Sequence, residues 1–277
     1  MPKTKPIVSL SWSGHTDIGR ARKNNEDAFL GLSIDATEVH FLGKLGDAKN
    51  PQTDYLFAVS DGMGGAMAGE FASRIAIEKI TRLLPPYIKK ESKKIPKKYN
   101  HLLEELFAEI HRALLFLGSS YEECRGMGAT LSLCWIRPSV IYFAHIGDSR
   151  IYHLPKDGGI RQLSEDDTHV GWLFRTGALN EREAKNHPRR NLLQKALGAE
   201  HQFATPQVGS LLYQPNDRIL LCTDGVTDGI FDEQLLEILN TPAVEFSGTA
   251  TISQHLVKEA VLRSGRDNAT AMLIEMR

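Results

Sequence analysis

Residues 128–150 read GATLSLCWIRPSVIYFAHIGDSR and contain two short apolar runs, Thr130–Ile136 and Val140–Ile146. Only Arg137-Pro138-Ser139 separates them, and a parallel crossover needs about a dozen residues, so we expect an antiparallel hairpin. A hairpin here favours an α+β fold with antiparallel sheets over alternating strand–helix units.

Further strands and helices are predicted on both sides of this hairpin. Short β-branched or aromatic runs predict strands, and apolar residues at helical spacing predict helices. Because proline interrupts a helix, Pro85-Pro86 is predicted to end the first one. Two sheets with helices outside them fit this order. The strands are Ala28–Leu32, Leu56–Val59, Arg218–Cys222 and Ala269–Ile274, and the helical stripes are Phe71–Leu83, Leu102–Leu117 and Ile252–Val261.

The composition indicates one globular domain over residues 1–277. The 33 basic residues nearly cancel the 34 acidic ones, and 42% of the chain is apolar, which excludes disorder, collagen and coiled coil. A net charge of -1 gives no field that would collect nucleic acid or membrane. We find no apolar run near the ~20 residues of a membrane helix and no export signal. Cys124, Cys134 and Cys222 form no CxxC pair, so we expect a reducing cytoplasm rather than disulfides or a zinc ribbon.

Two segments stand apart from the periodic pattern. Lys89–Lys98 holds six lysines and one glutamate, and is interpreted either as a solvated helix end or as a docking patch for an acidic partner. The irregular zone 165–191 contains Thr176–Glu181, which is typical of a turn leading into a capped helix. We expect this zone to form a mobile flap beside a site.

Acidic residues, several of them next to glycine, stand at the ends of the apolar strands. One such residue alone is a turn residue, but five brought to one edge would raise one another's pKa unless a cation lay between them. Oxygen ligands of this kind favour Mg²⁺ or Mn²⁺ over zinc. The set comprises Asp27, Asp61, Asp148, Asp224 and Asp267.

Other catalytic motifs are absent from the sequence. Gly62–Met67 lacks the third small residue of a dinucleotide fingerprint, and we find no P-loop, HExxH or GxSxG motif. No cysteine has an arginine six positions later, and no DxD motif occurs, so a covalent phosphoenzyme is disfavoured. A metal centre that activates water directly remains as the hypothesis.

The same acidic segments resemble, in order, the motif series of the PP2C-type (PPM family) metal-dependent Ser/Thr protein phosphatases, in the bacterial branch. The resemblance extends from about Ser13 to Met276. It implies one phosphatase domain, with a flap subdomain at about 165–191, built as a β-sandwich of two antiparallel sheets flanked by helix pairs (α-β-β-α layers). The motifs are Arg22–Asp27, Asp61–Gly65, Gly128–Thr130, Gly147–Arg150, Thr223–Gly225 and Asp267–Thr270.

The resemblance also implies a binuclear Mn²⁺ or Mg²⁺ centre and assigns its ligands. Asp61 would bridge both ions, and Arg22 would hold the substrate phosphate through its planar guanidinium. Ser149 and Asn268 would support the ligands, whereas Thr130 is interpreted as strand core. The remaining ligands are Asp27 and the Gly62 carbonyl on one ion, Asp224 and Asp267 on the other, Glu26 through water, and Asp148 with Asp224 on a third, weaker ion.

The predicted function is hydrolysis of phosphoserine and phosphothreonine in proteins, opposing a Ser/Thr kinase, by water in a single in-line displacement. A catalytically silent phosphoprotein-binding module is the main alternative, and a metal phosphodiesterase is a second. Met63 replaces the histidine that some family members use as a general acid, and His169 is interpreted as a flap or surface residue. We expect a monomer with phosphoprotein partners and neither nucleic-acid nor membrane binding.

Overall fold

The computed structural model describes residues 9–35, 38–49, 53–91, 99–200, 204–242 and 251–277. Its strands are β1 Leu10–Asp17, β2 Asp27–Ile34, β3 Val39–Phe41, β4 Leu45–Ala48, β5 Asp54–Met63, β6 Gly128–Ala129, β7 Leu131–Arg137, β8 Val140–Ile146, β9 Arg150–Leu154, β10 Arg161–Gln162, β11 Gln207–Leu212, β12 Arg218–Cys222 and β13 Ala269–Met276. Its α-helices are α1 Ala66–Glu91, α2 Tyr99–Ser120, α3 His169–Arg175, α4 Glu181–Asn186, α5 Asp224–Thr227, α6 Asp232–Asn240 and α7 Ile252–Arg263.

The strands form two antiparallel sheets. One sheet has the order β10-β9-β12-β13-β1-β4, and the other has the order β11-β8-β7-β5-β2-β3, with β6 paired to β5. The predicted hairpin is confirmed as β7 and β8, which pair Leu131 with Ile146 and Arg137 with Val140. Ser139 in its turn has a φ of 69°, which the tight connection requires.

Three apolar cores separate four layers. Ile80 of α1 and Phe107 of α2 are fully buried against the β7–β5–β2 sheet. Phe57 and Ile274 are fully buried between the two sheets. Leu256 of α7 is buried with α6 against the β12–β13 sheet. The predicted α+β sandwich with helix pairs outside is therefore confirmed.

One boundary predicted from the sequence is wrong. The first helix does not end at Pro85-Pro86 but continues through both residues to Glu91. Proline fixes φ at a value compatible with a helix and only removes a backbone donor, so a helix can pass through it at a cost. Pro86 is exposed, so water can satisfy the freed carbonyl on that side. The basic segment Lys89–Lys98 lies almost entirely outside the described residues, and its role stays a prediction.

The length and polarity of the described helices bear on membrane insertion. None in the described ranges is long and apolar enough to cross a bilayer.

Candidate metal centre

Strand ends from both sheets meet at one edge of the sandwich. On one sheet, β2 begins at Asp27 and β5 reaches its end just past Asp61. On the other, β12 ends at Cys222, two residues before Asp224, and β13 begins two residues after Asp267. The β8–β9 turn adds Asp148. The five predicted aspartates, far apart in sequence, therefore lie at or near strand ends on the same edge.

Asp27 and Asp61 are direct cross-strand partners. The antiparallel register of β2 and β5 pairs these two residues, and opposite residues of such a pair point to the same face. Like charges in this position repel each other. Burial raises the pKa of Asp27 to about 7, and the charges of Asp267 and Glu26 push it the same way. Hydrogen bonds from Thr223 and Thr270 act against this rise.

The charges of the other four aspartates act on the pKa of Asp61. Burial raises the pKa of Asp61 well above its ordinary value, and the charges of Asp27, Asp224, Asp148 and Asp267 add to the rise. Burial likewise raises the pKa of Asp224 well above its ordinary value, with Asp148 as the largest charge contributor. A cation between these groups would favour their charged forms and reverse the effect.

Two buried carboxylate oxygens accept no hydrogen bond from the part of the chain that the structure describes: Asp27 Oδ1 and Asp224 Oδ1. Buried polar atoms are nearly always paired, so each of these oxygens has room for a ligand. The donor set is entirely oxygen, which suits a hard divalent cation. The residues present therefore fit the metal that the sequence predicts.

The carboxylates lie at one edge of the sandwich, but their side chains do not form a preassembled metal-binding cluster. Among the described residues, no group of three or more His, Cys, Asp or Glu side chains is arranged to hold a metal ion. Two of the predicted ligands bind protein donors instead: Asp27 Oδ2 accepts from Thr223 Oγ1 at 2.8 Å, and Asp267 Oδ2 accepts from Arg22 Nη2 at 2.7 Å. For Asp27 Oδ2 and Asp267 Oδ2 to bind a cation, these hydrogen bonds would have to be shared or broken.

Two glycines allow Glu26 and Gly62 to approach each other. A Cβ on Gly62 would lie 1.9 Å from the Gly69 carbonyl oxygen, and a Cβ on Gly69 would lie 2.2 Å from Glu26 Oε2. Neither position accepts a side chain. The Gly62 N–H also donates to the Glu26 carbonyl at 3.1 Å. The backbone of Gly62 and the carboxylate of Glu26 are thereby packed against the start of α1.

Asn268 connects the loop that carries Arg22 to the strand that follows Asp267. Its Oδ1 accepts from the Glu26 N–H at 2.8 Å, and its Nδ2 donates to the carbonyls of Ile18 and Asn24 at 2.9 and 3.0 Å. The side chain is 3% exposed. The predicted supporting role therefore has a specific geometry, in which one buried amide fixes the position of the 18–26 loop.

Thr223 and Thr130 act in ways that sequence reasoning missed. Thr223 donates to Asp27, and its Oγ1 accepts from the Thr270 N–H, so it links β12 to the start of β2. Thr130 Oγ1 accepts from the Asp61 N–H at 3.0 Å and bonds Ser149 Oγ at 2.7 Å. Thr130 was interpreted as strand core; it is buried, but it also joins the loops of Asp61 and Asp148. The signal available was position: each threonine adjoins a strand end in a quoted motif.

The 165–191 zone, which we call the flap, carries α3 and α4. The predicted turn into a capped helix is confirmed, because Asn180 caps α4 in a reciprocal box with Glu183. Lys185 Nζ donates to the carbonyls of Thr227, at 2.8 Å, and Ile230. Arg190 forms an ion pair of 3.1 Å with Asp228. The flap is thus attached to the segment that begins at Asp224.

A cavity of about 60 Å³ lies beneath the flap. Its lining includes Asp148, Asp224 and Asp228 on the sandwich side and Lys185 on the flap side.

His169 is exposed and stacks on Trp172, with ring centroids 5.8 Å apart. The interpretation of His169 as a flap surface residue is consistent with this position.

Comparisons with known proteins agree with this geometry. A model of the protein phosphatase 2C family matches residues 44–259. The chain is 32% identical over 266 residues to the serine/threonine phosphatase stp of Listeria innocua serovar 6a, spanning 94% of this chain and 93% of that protein.

Two solved structures give the same result. The serine/threonine phosphatase of S. agalactiae has a TM-score of 0.77 at 26% identity, covering 97% of this chain and 100% of that one. The catalytic domain of the protein phosphatase PstP, in complex with 2 manganese ions, has a TM-score of 0.73 at 28% identity, covering 96% of this chain and 98% of that one.

The two-sheet sandwich and the family match together define a phosphatase of the 2C class. The chain belongs to the protein phosphatase 2C family, and it is a protein serine/threonine phosphatase. The predicted enzyme is therefore confirmed over the catalytically silent alternative.

Proposed function

We propose that the converging strand ends hold two divalent cations, Mn²⁺ or Mg²⁺, and that the chain hydrolyses phosphoserine and phosphothreonine there. The observation that carries this proposal is the direct pairing of Asp27 with Asp61, beside two buried carboxylate oxygens without hydrogen-bond partners. The metal ligands would be Glu26, Asp27, Asp61, the Gly62 carbonyl, Asp224 and Asp267.

Each side chain then has a defined task. When bound, the two cations would lower the pKa of a water ligand and offset charge on the phosphoryl oxygens. In this proposal Asp61 would be the ligand shared by both ions, and its position opposite Asp27 and among the other aspartates supports that role. Thr223 and Asn268 orient Asp27 and the Glu26 backbone. No side-chain nucleophile takes part.

Arg22 binds the substrate phosphate in this proposal. Its side chain is 47% exposed, and its hydrogen bond to Asp267 uses only one of the five guanidinium donors. Phosphate binding by the remaining donors suits the planar fork of arginine. Met63 has no proton to give, so the leaving alkoxide takes its proton from water or from another group.

Asp148 and Asp224 contribute to a third, weaker cation site. Burial and the charge of Asp148 raise the pKa of Asp224, and both carboxylates line the same small cavity. The flap closes over that cavity, so we further propose that residues 1–277 form one phosphatase domain whose flap at about 165–191 contributes to substrate choice.

The wider biological setting follows from this activity. The substrates are phosphoproteins of a Ser/Thr kinase, and the enzyme acts in signalling in the cytoplasm as a monomer. Binding of nucleic acid or of membrane forms no part of the proposal, because a net charge of -1 gives no whole-chain field that would attract polyanions.

Release of phosphate from para-nitrophenyl phosphate and from a phosphothreonine peptide tests the proposed site. Asp224→Asn keeps the shape of the side chain but weakens its metal binding, so we expect at least about a hundredfold loss in kcat/KM with manganese. Asp157→Asn is the matched control, since Asp157 is 83% exposed on a distant turn. Retention of most activity by Asp224→Asn would refute the assignment, and faster cleavage of a phosphodiester would favour the diesterase alternative.

A further inference from the structure

Three large apolar side chains are exposed where β5 leads into α1. Met63 is 37% exposed, Met67 79% and Phe71 48%. We call these three residues the apolar rim. Ala68 and Ala72, on the inner face of the same helix, are 7% and 0% exposed and supply the packing of α1 on the sheet. The fully covered face of α1 is thus formed by other side chains than those of the rim.

The apolar rim begins at the proposed metal centre. Met63 directly follows Gly62, and Gly64 and Gly65 turn the chain into α1 with φ values of 119° and 90°. Met67 lies in the first turn of α1, and Phe71 one turn further along. A substrate segment that leaves the metal centre on the side of Met63 would pass over this surface.

The spacing of the rim suits an extended peptide. Met67 and Phe71 are four residues apart, or about 6 Å along the helix axis. Alternate side chains on one face of an extended strand are about 6.8 Å apart, so two of them match the two rim positions. Glu70, on the same helix, is paired with Arg74 at 3.1 Å. The rim thus offers apolar contact rather than a charge to a passing chain.

We propose that the apolar rim binds the substrate segment next to the phosphorylated residue and selects apolar side chains at alternate positions. This inference rests on the proposed phosphatase site, because that site fixes where the phosphate lies. Met67 and Phe71 are neighbours on one face of α1 because they are four residues apart, and neighbouring exposed apolar side chains mark recognition sites more often than isolated ones do. The occupant is the substrate polypeptide itself.

The experiment compares two phosphothreonine peptides that differ only at the second and fourth residues on each side, leucine in one and serine in the other. We expect the wild-type enzyme to prefer the leucine peptide by about tenfold in kcat/KM. The double variant Met67→Ser/Phe71→Ser should reduce this preference to about twofold or less. Its activity on para-nitrophenyl phosphate should stay at the wild-type level. Leu262→Ser is the control, because Leu262 is 64% exposed on α7 in the opposite helix layer.

The possible outcomes separate this inference from the function on which it rests. Equal rates on the two peptides, with para-nitrophenyl phosphate still cleaved, would overturn the inference and leave the phosphatase site intact. A double variant that keeps the full preference, or that loses para-nitrophenyl phosphate activity to the same extent, would also overturn it. Absence of all hydrolysis by the wild-type enzyme would instead reject the proposed function.

Discussion

Asp27 and Asp61 illustrate how function opposes stability at single positions. Two carboxylates lie directly opposite each other on neighbouring strands, and burial raises the pKa of each. A structural protein would place an apolar or oppositely charged pair there. A cation at this position, as proposed, would convert the repulsion into attraction.

The buried amide of Asn268 should be costly to remove. Asn268→Ala leaves the Glu26 N–H without its present acceptor and releases the loop that carries Arg22. We expect a loss of about 2–4 kcal/mol in the free energy of unfolding, measured by urea denaturation. Asn186→Ala, at an exposed helix position, should change it by no more than about 0.5 kcal/mol. A small effect at Asn268 would mean that the loop is held by other contacts.

The sequence was informative about which residues stand at strand ends, and less so about their partners. The sequence predicted that Asp27, Asp61 and Asp224 lie at one edge of the sandwich, because each of them lies within a few residues of an apolar run that is typical of a strand. The hydrogen bond from Thr223 to Asp27 joins residues 196 positions apart. Side-chain pairings of this kind, including Arg22 with Asp267, depend on rotamers and on long-range approach, which local periodicity does not encode.

For the helices and strands, strong periodicity predicted that an element exists better than it predicted where that element begins and ends. The hairpin of β7 and β8 and the stripes of α2 and α7 were legible because each repeats over several turns or alternations. The end of α1 could not be predicted in this way. The helix continues through Pro85 and Pro86 although each proline lacks the backbone N–H that would donate to the preceding turn. The flap helices were only partly legible, because α4 has six residues and a capping signal but no buried stripe.

Attachment of the flap depends on Lys185. Its side chain is 13% exposed, and its ammonium group donates to two carbonyls beyond Asp224. Lys185→Met keeps the length of the side chain but removes the donors, so we expect faster hydrogen exchange of the α4 amides. We also expect about a tenfold lower kcat/KM on phosphopeptides than on para-nitrophenyl phosphate, relative to the wild type.

Lys156→Met is the matched control for that experiment, because the Lys156 side chain is 40% exposed and pairs with the exposed carboxylate of Asp157. Unchanged exchange of α4 in Lys185→Met would show that Arg190 and Asp228 suffice to dock the flap. Equal losses on both substrates would instead point to a disturbed metal centre rather than a disturbed flap.

For the molecule as a whole, three separate cores imply that the fold stands without its metal. We expect the chelated protein to unfold cooperatively, and excess manganese to raise Tm by several degrees, since a ligand at a hundred times its Kd contributes about 2.7 kcal/mol. Asp61→Asn removes one of two facing carboxylates. Its metal-free form should therefore unfold at the wild-type temperature or above, with little response to manganese. Unfolding upon chelation would contradict this view.

The most direct test is anomalous diffraction from a crystal soaked in manganese. The account predicts two strong manganese peaks between the ends of β2, β5, β12 and β13. Their nearest protein ligands should be oxygens of Asp27, Asp61, Asp224 and Asp267, with Asp61 shared by both ions. The same aspartates without a peak between them, or manganese bound elsewhere on the sandwich, would contradict the central claim.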